Sequence, residues 1–250
     1  KDPRTYIPET PGWNEIVHGM TQVPFVSLAL GPCAGMGAGR VAASHFSVMV
    51  KELSQIFVAG PPVAIALGED VTKEELGGWK IQGQNGTVDN VVDSEADAFE
   101  AARRFLSYMP PSVHDLPERT PPSDDPQRKE EFLLSIVPTD GKTPYKPRKI
   151  IEATVDRHSF FEIGHDWGRG MVCGLARIDG HAVGILAGDP FFLDGAWTAD
   201  VCDKVTRHMD LCSMFHLPVI HLVDCPGFAV GVKAETAGVT RVGVRAMTAI

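Results

Sequence analysis

Three things are scarce in this chain. No apolar run approaches the roughly 20 residues that a membrane-spanning helix needs, which argues against a membrane protein. No long basic run occurs, and the formal net charge over 250 residues is −9, which argues against nucleic acid as the main partner. The five cysteines (Cys33, Cys173, Cys202, Cys212, Cys225) are odd in number, scattered and without C-x-x-C spacing. That pattern disfavours both a disulfide framework and a zinc ribbon, and fits reduced thiols in a cytoplasm-like compartment. The opening "KDPRTYIPET" has neither an initiator Met nor a signal-peptide pattern.

What is there is globular: 44% of residues are hydrophobic and 22% charged, over a length that suits one large domain or two small ones. "VPFVSLAL" (Val23–Leu30), "HFSVMV" (His45–Val50) and "QIFVAG" (Gln55–Gly60) read as buried strands. Pro61 and Pro62 open a helix that Gly68 closes, and Thr72 with Glu75 forms a capping box. "SEADAFEAARRFLSYM" is the clearest helix. Ser94 is its N-cap, and Ala98, Phe99, Ala102, Phe105, Leu106 and Met109 form its predicted apolar face.

Nine of the nineteen prolines then fall between Pro110 and Pro147, which reads as an extended connector. Beyond it lie a short helix in "RKIIEATVD" and a hairpin turning at Asp179–Gly180. An amphipathic helix follows, burying Val201, Cys202, Val205, Met209 and Cys212, then the strand "VIHLV" and a helical tail from Lys233 to Ile250. Strands alternate with helices on both sides of the connector. The chain is therefore expected to be α/β, with units at residues 1–118 and 148–250 and a linker at 119–147.

The stretch "LALGPCAGMGAGR" is the most informative, because four of the nine residues from Gly31 to Gly39 are glycine. Strand, glycine turn and helix together present free backbone N–H groups, and a pair of them can hold a developing oxyanion. No Lys-Ser or Lys-Thr follows, so it is not a phosphate loop; the spacing of "GMGAGR" also fails a dinucleotide fingerprint. A plain tight turn without a ligand is the competing reading.

"GPCAGMGAG" resembles the G-P-C-A-G-G segment of carboxyltransferase subunits of biotin-dependent acyl-CoA carboxylases, of the propionyl-CoA and methylcrotonyl-CoA type. The resemblance continues through "FVAGPPVAIALGEDVTKEELGG", "RKIIEATVDRHSFFEI", "GLARIDGHAVGILAGDP" and "FHLPVIHLVDCPGF" to "ETAGVTRVGVRAM". It implies tandem crotonase-like domains, both incomplete here, in dimer-based homo-oligomers such as a hexamer.

It also implies an enzyme that moves CO₂ from carboxybiotin to an acyl-CoA. The biotin is carried on a partner that belongs with a biotin carboxylase, and no metal is bound by this chain. Gly35 and Met36 would be the backbone oxyanion hole, with Met36 replacing the family's usual second glycine. Ala34 and Gly37 would let the acyl chain pass, and Arg40 is a cation available to CoA phosphates, with a solvated surface role competing. Pro226, Gly227 and Phe228 would form the biotin side; Cys225 replaces an apolar residue there.

Family chains are considerably longer, and this one is expected to begin inside the first domain and end before a second glycine motif. Two alternatives stand beside the leading reading: a biotin-dependent CoA-ester decarboxylase subunit and a non-catalytic crotonase-like scaffold. A cytoplasmic location is expected, or the mitochondrial matrix if the source is eukaryotic. The cluster "GHDWGRG" (Gly164–Gly170) reads as a loop leading into the hairpin, and Cys33 as a small packed residue rather than a nucleophile. His208, His216, His221 and Asp224 lack ligand-like grouping.

Overall fold

The computed structural model describes residues 12–250, and the opening "KDPRTYIPET" lies outside them. The first half runs α1 (Trp13–Met20), β1 (Val26–Ala29), β2 (Pro32–Ala34), α2 (Met36–Ala43), β3 (Phe46–Val50) and β4 (Gln55–Phe57). It continues α3 (Pro61–Ala66), α4 (Lys73–Gly77), α5 (Trp79–Gln82), β5 (Asn90–Val92) and α6 (Glu95–Leu106). The second half runs α7 (Pro147–Thr154), β6 (Phe161–Ile163), β7 (Met171–Ile178), β8 (His181–Gly188) and α8 (Ala199–Met214). β9 (Val219–Leu222), α9 (Val232–Thr236) and α10 (Val239–Ala249) complete it.

The class is α/β. β1, β3 and β5 form a parallel sheet in the order β1-β3-β5, and β2 and β4 form a separate parallel pair. In the second half the order is β6-β7-β8-β9, antiparallel except for the β8–β9 pair. Local signals set several of these elements. Thr72 Oγ1 accepts the Glu75 N–H while the Glu75 carboxylate accepts the Thr72 N–H, the reciprocal capping box. Asp179 and Gly180 both have positive φ, 48° and 76°, as a two-residue hairpin turn that follows strand twist requires.

The predicted face of α6 is rotated. Ala98 and Phe105 are buried as expected, but Phe99 and Leu106 are exposed while Ala101 and Tyr108 are buried. The reason is tertiary. Phe105 stacks on Phe46 (4.8 Å between centroids), Phe161 stands edge-on to Phe46, and the Tyr108 hydroxyl donates to the Ser159 carbonyl. The helix therefore turns toward a cluster supplied by both halves, which includes Leu175, Leu211 and Phe215. Burying each such large side chain contributes about 1.5–3 kcal/mol.

Between α6 and α7 the described chain has no strand or α-helix, and one short 3₁₀ turn at Glu131–Leu134. This connector is fastened to the second half. The Thr120 N–H donates to the Gly180 carbonyl, Arg119 pairs with Asp179 at 2.6 Å, and Arg128 donates to the carbonyls of Glu152, Ala153 and Val155. The C-terminal helical stretch is two helices, α9 and α10, separated at Gly238, whose φ of 76° ends the first.

Candidate functional site

The glycine turn holds a strand that its spacing does not reveal. β2 lies inside it, pairing Pro32, Cys33 and Ala34 with Gln55, Ile56 and Phe57. Gly35 then reverses the chain into α2 with φ 55° and ψ −123°, a conformation that favours glycine. Its N–H extends the β2–β4 pairing, donating to the carbonyls of Phe57 (3.3 Å) and Val58 (3.1 Å).

Of the expected donor pair, the Gly35 amide already points at these protein carbonyls. The next amides differ. Met36, Gly37 and Ala38 occupy the first helical turn ahead of the first helical bond, Gly39 N–H to the Gly35 carbonyl at 3.0 Å. Among the described residues no side chain caps this end. These are the donors that a helix N-terminus leaves for an anion. Met36 and Gly37 are exposed, whereas Ala38 is buried beneath them.

Ala34 is exposed at the end of β2, and Arg40 is exposed one turn along α2. Cys33 packs with Trp79 and Val91 against Ala29, Ala38 and Met49, and burial raises its thiol pKa. That placement suits a packed residue, with no thiolate to act as a nucleophile.

A large cleft lies elsewhere. It encloses about 1220 Å³ between the halves, with Lys51, Trp79 and Val91 on one wall and Trp167, Phe192 and Val230 on the other. Residues 34–40 lie outside its walls. The "GHDWGRG" stretch, expected as a loop leading into the hairpin, supplies Asp166 through Gly170 to this cleft. Arg169 there lies over the Phe192 ring at 4.0 Å. Lys51 is paired with Asp93 at 2.6 Å, and its ammonium lies 5.4 Å from the Trp79 ring centroid.

Lys204 holds that loop in shape, and sequence reading missed it. Its ammonium is buried on α8 and donates to three loop carbonyls: Gly164 (2.7 Å), Trp167 (3.1 Å) and Met171 (2.7 Å). Burial lowers its pKa, and the nearby Cys173 and Glu162 act in the opposite direction. The available signal was a lysine on the buried face of α8, between Val201 and Val205. Gly164 and Gly168 in this loop have positive φ, 72° and 52°, and a Cβ at either would also crowd Lys204, at 3.0 Å from Cε and 2.9 Å from Cδ.

The turn "DCPGF" follows β9. Trp197 N–H donates to the Gly227 carbonyl and Ala229 N–H to the Trp197 carbonyl, both at 2.9 Å. Phe228 stands edge-on to Trp197 (5.9 Å) and packs where Gly243 has no side chain; a Cβ there would be 2.8 Å from the ring. Of the expected biotin side, Gly227 and Phe228 thus brace the turn against Trp197 and Gly243, and the following Ala229 and Val230 line the cleft. The structure does not bring these residues into one pocket with the α2 amides.

His208 is buried with its Nδ1 unpartnered and its pKa lowered to about 4, by burial first and then by Lys204. Among the described residues, no group of three or more His, Cys, Asp or Glu side chains converges on a metal-sized site. No helix among them is long and apolar enough to cross a membrane.

Comparison with known proteins matches residues 14–250 to the carboxyl transferase domain family. The chain is 34% identical to the carboxyltransferase subunit of propionyl-CoA carboxylase from Haloferax mediterranei, over 95% of this chain and 47% of that protein. It is 33% identical to the methylmalonyl-CoA decarboxylase alpha subunit of Veillonella parvula, over 91% and 45% respectively. The crystal structure of the transcarboxylase 12S hexamer superposes with a TM-score of 0.89 at 32% identity, covering 94% of this chain and 46% of that one. The chain spans about half the length of the curated relatives it matches. With an α/β fold shared at this level and a match over nearly its whole length, the chain belongs to the carboxyl transferase domain family.

Proposed function

We propose that the protein is the carboxyltransferase component of a biotin-dependent acyl-CoA carboxylase, with domains at residues 1–118 and 148–250 joined by the 119–147 linker. The observation that carries the reading is the uncapped first turn of α2, where Met36, Gly37 and Ala38 leave their amides without partners among the described residues. Such a turn suits a thioester carbonyl that becomes an enolate oxygen. Two amides aimed at it lower the barrier by about 2.7–4 kcal/mol per donor, without any side-chain acid or base.

Met36 and Gly37 are the proposed pair, one position along from the pair read out of the sequence. Ala34 and Gly37 leave room for the acyl chain, and Arg40 supplies a cation for the CoA phosphates. Carboxybiotin, carried on a partner protein, supplies the CO₂ and its freed ureido nitrogen accepts the α-proton. The apolar walls of the cleft (Trp79, Trp167, Phe192, Val230) fit a fused ring on an aliphatic arm. This chain's own part is to orient, to exclude water and to hold the oxyanion. A dimer-based homo-oligomer and a reducing compartment belong to the same proposal, the latter supported by free, buried Cys173 and Cys202.

The kinship with a decarboxylase subunit favours one second reading, the same transfer run toward biotin. Both are tested by following the carboxyl group between acyl-CoA and free biotin with the purified protein, in both directions, with propionyl-CoA, 3-methylcrotonyl-CoA and their carboxylated products. Transfer onto the acyl-CoA supports the carboxylase reading, and transfer only away from it supports the decarboxylase. An intact oligomer that shows neither transfer nor calorimetric binding of the thioester is a scaffold, and the proposal fails.

A further inference from the structure

The turn after β9 is fastened from a segment that reads as mere linker. Asp224 opens "DCPGF", and its Oδ2 accepts the Tyr145 hydroxyl at 2.5 Å. Tyr145 lies near the end of the connector, just ahead of α7. On its other side the Asp224 backbone is boxed in by glycines. A Cβ at Gly188 would stand 2.1 Å from the Asp224 carbonyl oxygen, and one at Gly195 2.8 Å from it. Among the described residues, the turn's other fastenings are the two main-chain bonds to Trp197 and the Phe228 ring packed against Trp197 and Gly243. The Tyr145 bond is a side-chain hold on this turn from outside the second half's own sheet.

The end of the connector is itself firmly seated. Arg148 reaches Glu162 through Nε (2.8 Å) and Nη2 (2.5 Å), and donates from Nη1 to the buried Asp189 (2.7 Å). Asp189 in turn accepts the Phe191 N–H, so the loop carrying the cleft residues Phe191 and Phe192 is tied to the same point. The phenol is half-buried, and burial together with the Asp224 carboxylate raises its pKa, so it stays a donor. Asp224 is exposed, so losing the bond returns a carboxylate to water rather than stranding it.

We infer that Tyr145 is a positioning residue for the carboxyl-donor side: its hydroxyl holds Asp224 and thereby aims Pro226–Phe228 and the cleft wall at Ala229 and Val230. This rests on the proposed assignment of that turn to the biotin side. Beside the Trp197 main-chain bonds and the Phe228 packing, this exposed side-chain bond sets where the start of the turn sits, so its loss moves the turn without unfolding the protein.

The test uses the full purified protein and free biotin as the probe. Biotin affinity is read by titration calorimetry, and the separate KM values for biotin and acyl-CoA by the transfer assay. Tyr145→Phe raises the Kd and KM for biotin about tenfold and leaves both the KM for acyl-CoA and the melting temperature unchanged. Asp224→Asn keeps an acceptor for the phenol and stays near wild type, and the double variant is no worse than Tyr145→Phe alone.

Phe228→Ala separates the two layers of the argument. If it weakens biotin binding and Tyr145→Phe does not, the positioning role is wrong. If neither variant changes biotin binding, the assignment of the turn is wrong and the inference falls with it. A Tyr145→Phe protein that loses melting temperature and shifts both KM values equally has lost a structural bond only, which also overturns the inference.

Discussion

Arg207 grips Asp89 with two nitrogens, Nε to Oδ1 at 2.8 Å and Nη2 to Oδ2 at 2.7 Å, and so joins α8 to the residue ahead of β5. Asp89 is 3% exposed and also accepts the N–H and the hydroxyl of Ser47, at 2.8 and 3.0 Å. The same guanidinium donates to the Ser44 carbonyl at 2.8 Å. One side chain thus spans the two halves at the edge of their shared apolar cluster.

Arg207→Ala strands a buried carboxylate, which typically costs about 3 kcal/mol. Arg207→Lys keeps the charge but loses the two-point geometry, so it recovers only part of the loss. Urea denaturation of the three proteins measures this. A loss under about 1 kcal/mol in the alanine variant would show that the Ser47 donors alone satisfy Asp89.

Stability falls in acid. The pKa of His45 drops to about 4, mainly through burial and then through Arg207, and its Nδ1 accepts the Phe25 N–H at 2.9 Å. His208 drops to about 4 as well, by burial and then Lys204. An unfolded histidine titrates near pH 6.5. The neutral forms therefore stabilise the fold fully above that pH, and the contribution is lost as pH falls from 6.5 toward 4. Unfolding midpoints across that window show the decline, and His208→Gln makes it shallower. A midpoint flat from pH 7 to 4.5 contradicts the prediction.

Lys204→Met removes a buried ammonium from three carbonyl acceptors at once. The fold loses about 2–3 kcal/mol, and the amides of residues 164–171 exchange with solvent faster than those of β7 and β8 beyond the loop. Hydrogen exchange resolved by residue checks the locality. Uniform acceleration over the whole second half would mean that Lys204 does not hold the loop in particular.

Much of the fold is legible in the residues themselves. The Thr72–Glu75 box, the Asp179–Gly180 turn and the mainly apolar, fully buried β3 carry their structure in local chemistry. α1, β2, α5 and β5 escaped because each is at most eight residues long and has its partners elsewhere in sequence. The rotated face of α6 has the same origin: Phe161, which helps decide it, lies on the far side of the connector.

The candidate site follows this rule too. The glycine turn was visible, but which amide is free depends on β4, because the Phe57 and Val58 carbonyls take the Gly35 N–H. Lys204 and Tyr145 were invisible as functional residues because each acts on a loop distant in sequence.

The most direct measurement removes one amide and controls for the side chain lost with it. Met36 is the first residue of α2, a position where proline is tolerated because its missing N–H has no helical partner. Met36→Pro should fold normally yet lose about 10²–10³ in kcat/KM for carboxyl transfer to acyl-CoA, whereas Met36→Ala, which keeps the amide, stays within a few-fold of wild type. A folded Met36→Pro protein that turns over at the wild-type rate would contradict the account.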